Sequence, residues 1–85
     1  MPLTLLHREG CELCDEMLAD LESLGRKLPP GSRLPAIDLQ DVDSDPELAR
    51  RHGLNVPVLL LDGTVVCRHR LDSAELLRLL RLPLG

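Results

Sequence analysis

Apolar residues along this chain form short runs and one long stripe, and their spacing predicts the first strand and the first helix. The run Leu3-Thr4-Leu5-Leu6-His7 is typical of a buried strand, and Gly10 interrupts it. From Glu12 to Lys27, apolar residues recur every three or four positions, which indicates one face of a helix. The members of this stripe are Leu13, Met17, Leu21, Leu24 and Leu28.

Proline and glycine separate the next two elements. A Pro-Pro-Gly segment predicts a loop, and residues 34–39 then predict a second strand, with Pro35 at its start as an edge strand allows. Asp45 followed by Pro46 predicts the beginning of a helix, because aspartate caps the first turn and proline fits its first position. This helix is expected to end at Gly53, a residue typical of the left-handed position after a helix.

The last third of the chain predicts a hairpin and a final helix. Residues 56–61 form a continuous apolar strand, and an Asp-Gly pair after it indicates a two-residue hairpin turn into a strand over 64–69. An Asp-x-x-Glu sequence beginning at Asp72 predicts a helix that continues through Leu82. The predicted order is therefore βαβαββα, in one α/β domain over residues 1–85.

Composition excludes several classes of function. The chain has no Phe, Trp or Tyr and has 22 leucines, so aliphatic side chains must fill the core. Nucleic-acid binding is disfavoured, because base stacking needs aromatic side chains and phosphate binding needs a basic surface, whereas the net charge is −4. No stretch of about 20 apolar residues could span a membrane, and no targeting segment is visible. We therefore expect a cytoplasmic monomer with no membrane or nucleic-acid partner.

Charge is unevenly distributed along the chain. Residues 1–47 carry 4 basic and 11 acidic side chains, whereas residues 48–85 carry 6 basic and 3 acidic ones. Six acids and no base lie between Glu9 and Glu22. Such a run is first of all a solvated helix face, but it also leaves open the selection of a basic protein partner.

The sequence Cys11-Glu12-Leu13-Cys14 carries the candidate chemistry, because it lies where a strand ends and a helix begins. Free amide N–H groups and the dipole at a helix N-terminus stabilise a thiolate on the first cysteine. A spacing of two residues lets the second thiol attack a mixed disulfide formed on the first. In a βαβ context this pattern indicates a thioredoxin-like redox motif.

The cysteines and histidines also have interpretations other than redox chemistry. A structural zinc site needs four ligands, whereas this chain has one cysteine pair and scattered histidines, so no metal is expected. Cys67, in the predicted fourth strand, is expected to pack as a small apolar residue. His7 and His69 are expected to be surface residues at strand ends.

Three segments spread along the chain resemble the glutaredoxin-like family of the thioredoxin fold, most closely its small bacterial members of unassigned function. The matching segments are residues 7–14, 43–48 and 53–59. The resemblance implies a four-stranded mixed sheet in strand order 2-1-3-4, flanked by helices. It also implies that Pro57 is a cis-proline facing the cysteine pair and that Val56 and Pro57 present backbone to a substrate strand.

This chain departs from the family pattern at several positions. Glutaredoxins usually carry Pro-Tyr between the cysteines, where this chain has Glu-Leu. Arg8 matches a basic residue that would hold a glutathione carboxylate, and Asp72 lies one residue from a glutathione-contacting aspartate. Cys67 and Arg68 replace an expected Gly-Gly pair, and their side chains would block the glutathione backbone. Glutathione is therefore disfavoured as a co-substrate, and no bound cofactor is expected.

Together these observations predict a thiol–disulfide oxidoreductase. Cys11 would attack a protein disulfide or a glutathionylated thiol, and Cys14 would resolve the mixed disulfide. Arg8, Val56, Pro57 and Asp72 would bind the substrate. The alternative is a non-catalytic binding module or redox sensor of the same fold that docks a basic protein partner. Acids close to Cys11 predict a thiolate that is less activated than that of a typical glutaredoxin.

Overall fold

A four-stranded sheet with three α-helices forms the protein in the computed structural model, which describes residues 2–83. The strands are β1 (Leu3–His7), β2 (Ile37–Asp41), β3 (Val58–Leu61) and β4 (Thr64–Arg68). The helices are α1 (Glu12–Lys27), α2 (Pro46–His52) and α3 (Ser73–Leu80), and a short 3₁₀ helix, Val42–Ser44, links β2 to α2. Met1, Leu84 and Gly85, which belong to the predicted domain, lie outside the described residues.

The strand order is β2-β1-β3-β4, with β1 parallel to β2 and the other neighbouring pairs antiparallel. This arrangement confirms the predicted α/β, thioredoxin-like fold with a mixed sheet. It also brings the C-terminal ends of β1, β2 and β4 to the same end of the sheet as the N-terminal end of β3. The loop between β1 and α1 and the segment that leads into β3 therefore lie side by side at this end of the sheet.

The core is aliphatic, as the absence of aromatic residues requires. One cluster of buried side chains joins the sheet to α1 and α3, and its members are Leu3, Leu5, Met17, Leu21, Leu24, Leu59, Leu61, Leu76 and Leu77. Successive side chains of a strand point to opposite faces, so Leu6 and Val58 are buried on the other side of the sheet. Leu13, the first member of the predicted apolar stripe, is instead 37% exposed.

Two strands begin later than the sequence predicts. β2 begins at Ile37 rather than at residue 34, because its pairing starts where Leu3 of β1 lies opposite Ile37. Pro35 has no N–H to donate and lies before the strand. β3 begins at Val58 rather than at residue 56, since Pro57 likewise has no N–H and Leu6–Val58 is the last pair of the β1–β3 ladder.

Left-handed residues end β4 and α3 earlier than predicted. His69 has a φ of 68°, so β4 ends at Arg68. Arg81 has a φ of 56°, so α3 ends at Leu80 rather than at Leu82. In each case one residue adopts a left-handed conformation that ends the element. Hydrophobic periodicity does not predict such a change.

Gly53 ends α2 as predicted, but for a different reason. It is right-handed, with a φ of −58°, rather than left-handed. Its N–H donates to the Ala49 carbonyl, and a Cβ at this position would lie 2.5 Å from that same oxygen. Gly53 is therefore required for close approach and not for a positive φ.

The hairpin between β3 and β4 turns as the sequence predicts. Asp62 and Gly63 have φ values of 52° and 82°, the pair of left-handed residues that a two-residue turn of type I′ requires. The register then shifts between Leu59 and Leu60, so that β4 carries one extra residue, a β-bulge.

Candidate functional site

Cys11 is the N-cap of α1, and this position sets its chemistry. Its backbone is extended, and its Sγ accepts a hydrogen bond from the N–H of Cys14 at 3.1 Å. The sulfur therefore takes the place that a serine or aspartate oxygen occupies in an ordinary helix cap. A negative charge on this sulfur would be stabilised by the same N–H and by the helix dipole.

Cys14 lies one turn into α1 and is within bonding distance of Cys11. The Cα atoms of the two residues are 5.2 Å apart, inside the range that disulfides span, and the structure joins their sulfurs. Cys14 is 3% exposed, whereas Cys11 is half-buried. Cys11 is thus the more exposed of the two cysteines, as its capping position predicts.

Val56 and Pro57 precede β3 at the edge of the sheet where β1 ends. The peptide bond between them is cis, and the Pro57 side chain is fully buried. The Pro57 carbonyl accepts a hydrogen bond from the N–H of His69 at 2.8 Å, whereas Val56 is half-buried. The topology therefore brings this segment to the end of the sheet that carries the cysteine pair.

Arg8 is held by two other parts of the chain. Its Nε and Nη2 donate to the two carboxylate oxygens of Asp43 at 2.8 Å and 3.0 Å, and its Nη1 donates to the Gly53 carbonyl at 2.9 Å. One guanidinium therefore joins the end of β1 to the 3₁₀ helix and to the end of α2. Three of its five N–H groups are used inside the protein, which competes with the expected contact to a substrate anion.

The ion pair between Arg8 and Asp43 predicts a pH dependence of stability. Its hydrogen bonds lower the pKa of the Asp43 carboxyl below its usual value. A lowered pKa stabilises the fold at pH values above the ordinary aspartate pKa of about 3.9, and this stability is lost as pH falls through the folded-state value. We expect Asp43→Asn to lower the urea midpoint of unfolding at neutral pH, and the difference to vanish in acid.

The control for this prediction is Asp38→Asn, which changes an exposed aspartate of β2. Its midpoint should follow that of the wild type at both pH values, as monitored by far-ultraviolet circular dichroism. The effect at Asp43 is expected to be small because both partners of the ion pair are 40% or more exposed. A difference for Asp43→Asn that is the same at neutral and at acid pH would contradict the assignment.

Asp72 reaches the same end of the sheet, but its side chain has a structural task. It is the N-cap of α3, and its Oδ1 accepts the N–H of Glu75 at 3.1 Å. Cys67 lies beside it. Burial raises the pKa of the Cys67 thiol, opposed in part by a hydrogen bond from the Asp72 backbone. Cys67 packs against the core cluster, in keeping with the structural role expected from the sequence.

His7 differs from its expected place at the surface. It is half-buried and lines a cavity of about 160 Å³ between the sheet and α1, together with Leu5, Cys14, Asp15, Leu18 and Leu39. Its position at the end of a strand suggested exposure. The packing of α1 over β1 brings it to the same cavity as the second cysteine, seven residues further along the chain.

Residues 2–83 contain neither a cluster of metal ligands nor a membrane-spanning helix. Within that range no three His, Cys, Asp or Glu side chains come together in a way that could hold a metal ion. Nor does any helix of the described chain have the length and apolarity needed to cross a membrane.

Comparison with known proteins identifies the family. The model of the glutaredoxin-like domain (DUF836) matches residues 2–81. The chain belongs to this family. The glutaredoxin-like domain thus places a cysteine pair, close enough for a disulfide, at the start of its first helix. No curated protein sequence matches the chain.

Solved structures agree with this assignment. The solution structure of protein Ne2328 from Nitrosomonas europaea is 30% identical, with a TM-score of 0.75, over 96% of this chain and 91% of that one. The X-ray structure of protein XcR50 from X. campestris is 29% identical, with a TM-score of 0.65, over 93% and 95% of the two chains. A buckwheat glutaredoxin in complex with glutathione shares the fold at 15% identity, with a TM-score of 0.54, over 94% and 68%.

Acidic residues surround the thiol of this glutaredoxin-like domain. Glu12 and Asp15 lie in the first turn of α1, and both are exposed. Their charges oppose a thiolate on Cys11, whereas the helix N-terminus favours one by roughly 0.3–1 kcal/mol. We expect Glu12→Gln and Asp15→Asn to speed alkylation of reduced Cys11 by iodoacetamide at pH 7, because each removes a like charge.

The matched control is Glu22→Gln, an exposed acid of the same helix about two and a half turns further on. Its alkylation rate should equal that of the wild type. The gain at Glu12 and Asp15 should also shrink in high salt, since exposed charges are screened. A wild-type thiolate pKa below about 5, the range of strongly activated thiols, would refute the expected weak activation.

Proposed function

We propose that this glutaredoxin-like domain is a thiol–disulfide oxidoreductase whose nucleophile is Cys11. The observation that carries the proposal is the position of Cys11 at the cap of α1, with Cys14 within bonding distance. A capping sulfur receives N–H groups that favour its thiolate, and the thiolate is the form that attacks a disulfide. The family and the fold are consistent with this chemistry.

The reaction has two exchange steps. The Cys11 thiolate attacks one sulfur of a substrate disulfide, so that a Cys11–substrate disulfide forms and the other substrate sulfur leaves as a thiolate and takes up a proton. Cys14 then loses its proton and attacks the Cys11 sulfur, which releases the second substrate thiol and forms the Cys11–Cys14 disulfide. The substrate gains two electrons and two protons, and the dithiol loses them.

Protein disulfides and glutathionylated protein thiols are the proposed substrates. Val56, next to Pro57, would pair its backbone groups with an extended substrate segment. The Pro57 carbonyl already accepts the N–H of His69, so the groups of Val56 are the ones left to a substrate. Free glutathione is a less suitable substrate, because Arg8 is committed to Asp43 and Gly53. In addition, Cys67 and Arg68 stand where glutathione-binding glutaredoxins are expected to carry glycines.

The exposed acids of α1 favour a second candidate, a non-catalytic module or redox sensor that docks a basic protein. Glu12, Asp15, Glu16 and Asp20 are all exposed on the helix that carries the cysteines. Such a face would attract a basic partner at low salt whether or not the cysteines turn over. A basic substrate protein would unite the two candidates.

Reduction of insulin by dithiothreitol, with and without the domain, tests the proposal. An oxidoreductase should accelerate the precipitation of reduced insulin at substoichiometric amounts, because each oxidised domain is reduced again by dithiothreitol. A binding module should leave the rate unchanged even when its own cysteines are fully reduced. The second result would refute the proposed function and favour docking alone.

A further inference from the structure

His7 and Cys14 line the same cavity, which places an imidazole in the space that the second cysteine faces. The cavity holds about 160 Å³, enough for ordered water, and its apolar walls come from Leu5, Leu18 and Leu39. Its polar side chains are His7 of β1 and Cys14 and Asp15 of α1. The imidazole and the second thiol therefore open into the same small space, on the side of α1 that faces the sheet.

Cys14 lacks the stabilisation that Cys11 receives. Its N–H donates to the Cys11 sulfur, and its own side chain lies inside the first turn, 3% exposed. A thiol buried among apolar groups resists ionisation, yet it must lose its proton before it can attack a disulfide. The second step of the proposed reaction is therefore assisted by a proton acceptor close to the Cys14 sulfur.

We infer that His7 is this acceptor and takes the Cys14 proton, directly or through one water of the cavity, when the mixed disulfide is resolved. The inference rests on the proposed function. Histidine is the side chain suited to the exchange of protons near neutral pH. The electron pair of the Cys14 S–H bond then forms the bond to the Cys11 sulfur, and the released substrate thiolate takes up a proton from solvent.

Two carboxylates and one uncharged residue lie on the elements packed around His7. Asp15 lies in the same cavity, and Asp41 of β2 is the residue opposite His7 in the parallel ladder. On β3 the position that continues the register opposite His7 is Pro57, which has no charge. Arg8, the next residue along the chain, is paired with Asp43.

Ellman's reagent separates the two steps in a Cys67→Ala background, where the third thiol is absent. Attack by reduced Cys11 releases one thionitrobenzoate, and attack by Cys14 on the mixed disulfide releases the second. We expect His7→Ala and His7→Gln to slow the second release about tenfold or more at neutral pH and to leave the first within about twofold, as loss of a general base predicts. In alkaline buffer, where hydroxide removes the proton, the difference should vanish.

Addition of imidazole should restore the second release in His7→Ala, whose enlarged cavity admits it, but not in His7→Gln. His69→Asn is the matched control, because it changes a histidine outside this cavity and asparagine tolerates a positive φ. A second release that is as fast in both His7 variants as in the wild type overturns the inference and leaves the proposed function intact. A wild type that releases no thionitrobenzoate overturns both.

Discussion

Cys11→Ser is expected to abolish disulfide reduction, whereas Cys14→Ser is expected to stop the reaction at the mixed disulfide between Cys11 and the substrate. Serine at position 11 can still cap α1, so the fold should survive while the nucleophile is lost. We expect the insulin-reduction rate to fall to the background, roughly three orders of magnitude or more for loss of a nucleophile. In Cys14→Ser the first attack proceeds, and mass spectrometry should find a substrate adduct on Cys11 that persists.

Cys67→Ser is the control for both variants. Its thiol is half-buried against the core, and burial raises its pKa, so it should take no part in exchange. Its activity should stay close to that of the wild type. Adducts on Cys14 or Cys67 in place of Cys11 would show that the roles are wrongly assigned.

Leu21→Ala is expected to have the largest effect on stability. Leu21 is 0% exposed, lies in the middle of α1 and belongs to the core cluster that joins this helix to the sheet. Truncation of a buried leucine removes its transfer free energy and leaves a cavity, which costs about 2–5 kcal/mol. The free energy of unfolding of a small domain is roughly 5–15 kcal/mol, so the loss is a large part of it.

Leu54→Ala is the matched control, because the same atoms are removed from a side chain that is 96% exposed. Its free energy of unfolding should lie within about 0.5 kcal/mol of the wild type. Chemical denaturation followed by circular dichroism measures both variants, since the chain has no tryptophan for fluorescence. Equal losses at Leu21 and Leu54 would contradict the described core.

Local signals predicted most of the fold. β1 and α1 have the predicted bounds, since an apolar run and a helical stripe register burial directly. The caps at Asp45 and Asp72 were also predicted, because capping depends on a side chain and the N–H groups two or three residues later. The start of β2 was wrong by three residues because the register with β1, a long-range property, decides it.

In the candidate site, too, local features were predicted from the sequence, whereas tertiary contacts were not. The place of Cys11 at a helix N-terminus follows from residues 7–14 alone, and the structure has it there. The partners of Arg8 were not predicted, since Asp43 and Gly53 are 35 and 45 residues away. The place of His7 was missed for a different reason. Alternation along β1 sets the face on which it lies, but only the docked helix shows that Cys14 shares this face.

The two outer strands of the sheet have a consequence for how copies of this protein meet in a concentrated solution. Within residues 2–83, β2 and β4 each have an edge without a partner strand, and such edges are templates for aggregation. The bulge in β4 distorts one of them, and Asp38 and Asp41 place carboxylates along the other. Two chains that joined through β2 would set like charges against each other. At the β2 edge, charge repulsion and not steric blocking opposes such pairing. Salt screens the charges and therefore weakens this repulsion.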